Sequence, residues 1–293
     1  MNEDRDTPEG LAFAIGAYVF WGFLPLYLKL VDHIPPVEVV AHRVLWSVPI
    51  AGAVLVALGR TDTLRAALKD PRALAWAGVT AALISINWGV YVYAIASQQT
   101  VQAALGYYMN PLFSVLLGAI LLRERLDSLQ WFAIALAFCA VVVLTIEARE
   151  VPFISLILLF SFGFYALAKK QLPIGPNQGF LLEVMILSVP ALVYIGWVEA
   201  TGQGSLSASP WLLLGCGAVT AVPLMLYANG AKRLKLSTIG ILQYIAPTMI
   251  LLIAVFLFQE PFGRARAIAF PMIWAALALY SLSLFRQVRR GTV

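Results

Sequence analysis

Glu183, His42 and Arg43 are ionisable side chains that fall inside long apolar stretches of this chain, and Glu38 opens the stretch that holds the latter two. A charge at the centre of a bilayer costs on the order of 2.5–3.5 kcal/mol even on a lenient insertion scale, so each of these groups needs a reason to be there. Glu183 can serve as a cation-binding or proton-coupling carboxylate, or as a structural acid bonded to backbone or to Lys170. Arg43 can hold an anionic group through its planar fork or cap carbonyls of a neighbouring helix. His42 can shuttle a proton or act as a structural hydrogen-bonder. Glu183 and Arg43 are expected about 8–9 Å inside their helices, at 1.5 Å per residue, and toward opposite membrane faces. A direct ion pair between them is therefore not expected.

Aromatic and amide side chains accompany these charges: Trp21, Tyr27 and Lys29; Asn87, Trp88 and Tyr91; Tyr107, Tyr108 and Asn110; Tyr165; Tyr227; Gln243 and Tyr244. Flat apolar walls with a few fixed dipoles suit an amphipathic organic solute. An interfacial belt accounts for Trp131, Trp197 and Trp211 near helix ends. It does not account for Asn87, Asn110 and Gln243, whose amides cost free energy at mid-depth unless paired or wet. The candidate substrate-binding set is Trp21, Tyr27, Arg43, Asn87, Trp88, Tyr91, Tyr108, Asn110, Tyr165, Gln243 and Tyr244, with the solute held chiefly between Asn87, Trp88, Tyr108, Asn110, Gln243 and Tyr244. Glu183 is the candidate coupling group. Pro25, Pro111, Pro223 and Pro247 remove backbone donors and are candidate hinges or gates. Enzymatic chemistry finds no footing: the histidines are His33 and His42 alone, and no metal cluster, phosphate-cradling Gly loop or Ser/His/Asp set is apparent. No cofactor is implied.

The elements that position these residues follow from composition. Of 293 residues 61% are hydrophobic and 12% charged, with mean hydropathy +0.85, against roughly 25% charged in a soluble domain. The surplus apolar surface must face lipid, where only helices and closed barrels satisfy their backbones. Unbroken runs such as Phe132–Leu144 lack the alternation of barrel strands. At about 20 residues per span, helices are expected near 10–30, 37–58, 74–96, 102–122, 129–147, 152–169, 178–198, 210–230, 236–258 and 265–285. Cys139 and Cys216 fall within apolar runs, where free Cys acts as a small hydrophobe. The polar, acidic N-terminus followed by a full-length apolar run argues against a cleavable signal peptide.

With the N-terminus inside, 15 of the 20 Lys and Arg residues fall on cytoplasmic segments and four outside, Arg43 being within a helix. That asymmetry orients the chain with both termini cytoplasmic in a bacterial inner membrane, and explains the scattered basic residues without a nucleic-acid partner. Tyr108-Met-Asn-Pro111 and Tyr244-Ile-Ala-Pro247 are each followed by a glutamate, Glu124 and Glu260, and all three pairs share an offset of 136. The chain reads as a tandem repeat, 1–148 and 149–293, of five helices each. Five is odd, so the second copy is inverted: an all-α membrane protein of ten transmembrane helices in two inverted repeats around a central cavity. Such halves suit a secondary transporter working by alternating access. An exporter or exchanger of small metabolites, such as amino acids or amphipathic organic solutes, is the first expectation. A flippase for a lipid or lipid carrier, with a laterally open cavity, is the alternative. The expected partners are a small-molecule substrate, membrane lipids and coupling protons, with the chain a monomer or homodimer. The helices at 129–147 and 265–285 are nearly all apolar and are expected to face lipid or a second subunit.

These residues resemble the EamA-type carriers of the drug/metabolite transporter superfamily, in an Arg early in the second helix and a Pro-then-Glu ending to the fourth and ninth. The finer pattern resembles the RarD branch: Tyr27-Leu-Lys29, Glu38-x-x-x-His42-Arg43-x-x-Trp46-Ser47, Asn87-Trp88, Leu105-Gly106-Tyr107-Tyr108-Met-Asn110-Pro111, Phe164-Tyr165, Leu182-Glu183, and Leu236-Ser237-Thr238 leading to Gln243-Tyr244-x-x-Pro247. The resemblance covers nearly the whole chain and implies a basket-shaped fold with a central cavity that exports or exchanges metabolites. Gln102 stands where the branch usually has an acid, and Gln259 where Gly usually precedes the glutamate; the second departure is expected to be neutral.

Overall fold

The computed structural model describes residues 7–59, 61–121, 126–148, 151–231, 233–234, 238–239 and 242–290. Among these, the chain runs as α1 (Pro8–Leu30), α2 (Pro36–Ala57), α3 (Thr61–Ala67), α4 (Pro71–Ala96), α5 (Thr100–Leu121), α6 (Ser128–Ala148), α7 (Phe153–Gln171), α8 (Pro176–Ala200), α9 (Pro210–Ala231), α10 (Ile245–Leu252) and α11 (Arg264–Arg290). Eight of the described helices are long and apolar enough to cross a membrane, and α7 and α10 are shorter apolar helices. The protein is thus an all-helical, multi-pass membrane protein. The short α3 was not expected from the basic loop that contains it. Glu124, Leu236 and Ser237 lie outside the described residues.

Proline opens α1, α2, α4 and α8, where its missing N–H is unneeded and its fixed φ already suits the helix. Thr7 caps α1 by accepting from the Gly10 N–H at 3.1 Å, and Asp70 caps α4 by accepting from the Arg72 N–H at 2.9 Å. α4 ends in a Schellman turn: Gln98 has φ +56°, and the Gln99 N–H reaches the Ala94 carbonyl at 2.7 Å.

The equivalent prolines behave differently. α5 runs without a break through Pro111. The expected continuous helix 236–258 is instead interrupted by a turn at Gln243 and Tyr244, and resumes as α10 through Pro247 before loosening into a π-helical turn over Ile253–Leu257. Pro247 has no N–H for the Gln243 carbonyl, as Pro111 has none for the Tyr107 carbonyl, so the missing donor allows an interruption at that place without requiring one. Gln259, after the π-turn, has φ +53°. This corrects the expectation that it is neutral: glycine takes that left-handed conformation without the Cβ penalty that glutamine carries.

α1 packs against α9 and α10, α2 against α8 and α9, α4 against α7 and α8, and α5 against α7 and α10, while α6 and α11 pair with each other. α6 and α11 are also the least buried spans. Apolar side chains stand exposed around the bundle, Trp211, Phe256 and Phe138 among them, as lipid-facing surface requires. Cys139 is exposed and Cys216 buried, both as free thiols.

Candidate functional site

Arg43, on α2, is 3% exposed. Its Nε donates to Thr220 Oγ1 on α9 at 2.9 Å, and its guanidinium lies 5.0 Å from the centre of the Trp88 ring on α4. Thr220 turns its own hydrogen to the Cys216 carbonyl at 2.8 Å, leaving a lone pair for the arginine. Tyr27, Tyr91, Tyr107 and Cys216 lie within electrostatic range of the guanidinium. Arg43 Nη1 and the Tyr91 hydroxyl are buried with no hydrogen-bond partner among the described residues.

Close backbone approach makes this arrangement possible. A Cβ on Gly217 would meet the Trp46 carbonyl carbon and oxygen at 2.4 Å, and one on Gly215 would meet the Tyr27 hydroxyl at 2.6 Å. The Tyr27 hydroxyl donates to the Leu212 carbonyl one turn earlier on α9. Because backbone cannot rotate away as a side chain can, Gly217→Ala must part α2 from α9 and draw Arg43 off Thr220. A loss of about 1–3 kcal/mol is expected, read as a lower unfolding midpoint of the detergent-purified protein. An unchanged midpoint would contradict the close contact.

From Arg43 an aromatic wall crosses the bundle. Tyr91 meets Tyr107 at 5.5 Å between ring centres, Tyr107 meets Phe162 at 6.2 Å, and Phe162 meets Tyr165 at 6.0 Å. Tyr165 lies within electrostatic range of Tyr227, which packs with Tyr18 and Trp21 of α1 at 5.9 and 5.7 Å. Tyr107 also donates to Asn87 Oδ1 at 3.0 Å, while Asn87 Nδ2 donates to the Leu158 carbonyl at 3.2 Å and to Ser161 Oγ at 3.0 Å. The Asn87 amide is thus engaged on both sides, and its work here is to hold the wall together.

At the other end of the wall stands Glu183 of α8, 1% exposed. Lys169 Nζ donates to its Oε1 at 2.5 Å and the Tyr165 hydroxyl to its Oε2 at 3.3 Å. Lys169 also lies 5.4 Å from the Tyr165 ring centre. The structural partner expected for this acid was Lys170, whose side chain lies outside the described ones; beside Glu183 stands Lys169, one turn beyond Tyr165 on the same helix face. Two further carboxylates are buried, Glu38 at 0% and Glu260 at 4% exposed. Glu38 accepts from the Ser205 N–H at 2.6 Å and from Ser205 Oγ at 3.1 Å. Glu260 accepts from the N–H groups of Thr100 and Val101 at 2.7 and 2.9 Å. Those two acids are fastened to loop and helix end, whereas Glu183 faces a cation and a phenol.

The remaining residues singled out in sequence lie elsewhere. Tyr108 packs on Phe270 and Trp274 of α11 at 5.8 and 6.4 Å, and its hydroxyl is 2.7 Å from Thr248 Oγ1. Asn110 Oδ1 and the Tyr244 hydroxyl are buried without partners among the described residues, while Gln243 does have a partner. Pro25 and Pro223 lie within α1 and α9. His42 Nδ1 accepts from the Trp46 indole at 3.1 Å. Sequence reasoning noted Tyr107 but ranked Tyr108 above it, and passed over Thr220, Ser161 and Phe162, which carry no charge to mark them. Among the described residues, no group of three His, Cys, Asp or Glu side chains is placed to hold a metal.

An apolar groove of about 330 Å³ opens on the side of the bundle, lined by Gly16, Val19, Phe20, Phe23 and Leu24 of α1 and Val219 of α9, with Tyr27 at its edge. Helices shaped for lipid, around a buried set of polar and charged groups shared by several of them, define a multi-pass membrane protein with an interior polar site. The profile of the EamA-like transporter family matches residues 8–146. Protein RarD of Streptomyces exfoliatus is 39% identical over 99% of this chain and 94% of its own length. The uncharacterized transporter YojE of Bacillus subtilis is 40% identical over 96% of each chain, and protein RarD of Escherichia coli is 34% identical over 98% of each. A solved crystal structure at 22% identity shares the fold with a TM-score of 0.59, covering 93% of this chain and 97% of the other. The chain belongs to the RarD branch of the EamA family, and is a membrane transporter.

Proposed function

We propose that the chain is a secondary carrier that exports or exchanges small amphipathic metabolites by alternating access between two inverted five-helix halves, 1–148 and 149–293, in a bacterial inner membrane with both termini cytoplasmic. One observation carries the reading: the principal helix contacts map onto themselves when the halves are exchanged. The pairing of α1 with α9 answers that of α7 with α4, α2 with α9 answers α8 with α4, and α5 with α7 answers α10 with α1; α2 with α8, α5 with α10 and α6 with α11 are their own counterparts. The unequal treatment of Pro111 and Pro247 supports it, since alternating access requires equivalent helices to differ in any one state.

In this reading the aromatic wall between Arg43 and Glu183 is the solute path, and Glu183, paired to Lys169, is the proton-coupling group. Flux in proteoliposomes with a panel of amino acids and aromatic solutes tests the carrier: no saturable flux or exchange of any solute in either direction would sink it. Glu183→Gln is expected to abolish pH-gradient-driven uptake and to preserve solute exchange; undiminished driven uptake would remove Glu183 from coupling. Labelling of single-cysteine variants at each terminus in intact cells tests the orientation. A second reading, lipid translocation, is favoured by the lateral groove at Tyr27, and predicts uptake of headgroup-labelled lipid unaffected by water-soluble metabolites.

A further inference from the structure

α2 and α8 both open on proline, Pro36 and Pro176, and counted from those starts Arg43 and Glu183 occupy the same place, 140 residues apart. Lys169 Nζ comes within 3.2 Å of where a Cβ on Gly179 would stand. The cation beside Glu183 is delivered from α7, against α8 at Gly179. There the cation is matched by Glu183 at 2.5 Å. On α2, Ser47, one turn after Arg43, donates its hydroxyl to the Arg43 carbonyl at 2.6 Å. No carboxylate among the described residues forms an ion pair with Arg43, and the nearest acid on its own helix, Glu38, is committed to Ser205.

An arginine stays charged in proteins, and a buried charge without a counter-charge is strongly unfavourable. The Trp88 face and the Thr220 hydroxyl meet part of the need, but they bring no negative charge. Two donors remain in this neighbourhood, Arg43 Nη1 and the Tyr91 hydroxyl, on side chains each 3% exposed. Tyr107 beside them is only partly buried although aromatic rings flank it. Tyr27, also within electrostatic range of Arg43, forms the edge of the apolar lateral groove.

We infer that the missing counter-charge is the cargo: the site takes a monocarboxylate with an apolar or aromatic body, its carboxylate held by Arg43 Nη1 and the Tyr91 hydroxyl and its body against Tyr107 and Tyr27. The inference rests on the carrier reading for the movement of that solute. An inorganic anion such as chloride shares the carboxylate's chemistry and is a control.

The test uses the full-length protein purified in detergent in chloride-free buffer, with unfolding followed against increasing sodium 3-phenylpropionate, its uncharged amide, and sodium chloride. A ligand that binds only the native state raises the unfolding temperature. Phenylpropionate is expected to raise it saturably and the amide to leave it unchanged. Arg43→Gln is expected to weaken phenylpropionate by at least about tenfold, since one partner of a buried charge-assisted pair is lost. Tyr91→Phe, which keeps the ring, is expected to weaken it by a smaller factor and serves where Arg43→Gln does not fold. Equal shifts from acid and amide, no shift from either, a phenylpropionate shift unaltered in the variants, or a shift from chloride with nothing added by phenylpropionate would each overturn the inference. Arg43-dependent binding without flux in proteoliposomes would keep the site and remove the carrier; saturable flux of uncharged solutes that ignores Arg43→Gln would do the reverse.

Discussion

Lys169→Met is expected to destabilise the protein by about 3 kcal/mol, because it strands the Glu183 carboxylate without its cation. The figure belongs at the lower end of what breaking a buried pair costs, since the Lys169 side chain keeps 23% of its surface accessible while Glu183 keeps 1%. The hydrogen bond from Tyr165 at 3.3 Å is too long to replace the lost pairing. Removing both charges, as in Lys169→Met with Glu183→Leu, is expected to return stability close to that of the parent chain, since two apolar groups of similar volume can replace a buried pair at little cost. The measurement is a thermal or denaturant unfolding cycle of the two single variants and the double. If Lys169→Met alone leaves the midpoint in place, the pair contributes no net stability and the expectation fails.

Glu260→Ala is expected to cost about 2–4 kcal/mol, for two charge-assisted hydrogen bonds lost from buried N–H groups. Its carboxylate reaches back 160 residues to the N–H of Thr100 at 2.7 Å, with the Val101 N–H at 2.9 Å on its other oxygen. These are donors at the start of α5, which has no earlier turn to satisfy them. A negative charge at a helix N-terminus is favourable in its own right. The consequence reaches the site, because α5 carries Tyr107 and Glu260 ties its beginning to the end of α10. Glu260→Gln keeps one accepting oxygen and is expected to lose about half as much. Unfolding midpoints of the two variants check the order; equal midpoints for Glu260→Ala and the parent would show that water replaces the carboxylate as partner.

The Pro-then-Glu pattern illustrates what was legible. Its recurrence at a fixed offset is the basis for expecting a repeat, but nothing in the spacing said that Glu260 caps a helix. The same limit applies to Gln259, whose departure from glycine acquires a meaning only once its φ of +53° is known. Glu38 was read as a helix-start acid, and the loop that folds over it to present Ser205 has no pattern that betrays it.

The sequence by itself determined the class of the protein and the approximate place of its long apolar helices. These follow from composition over windows of about 20 residues, which the bilayer reads directly. The tertiary structure alone decided which side chains meet. Successive residues on a helix differ by 100° in direction, so Lys169, one turn beyond Tyr165, faces Glu183, and Tyr107 rather than Tyr108 joins the wall beside Arg43. Helices that are apolar on nearly every face carry no amphipathic stripe to announce which side turns inward. Their rotation comes from packing, from glycines such as Gly217 that admit a neighbouring backbone, and from long-range bonds such as Arg43 to Thr220 that no local window contains.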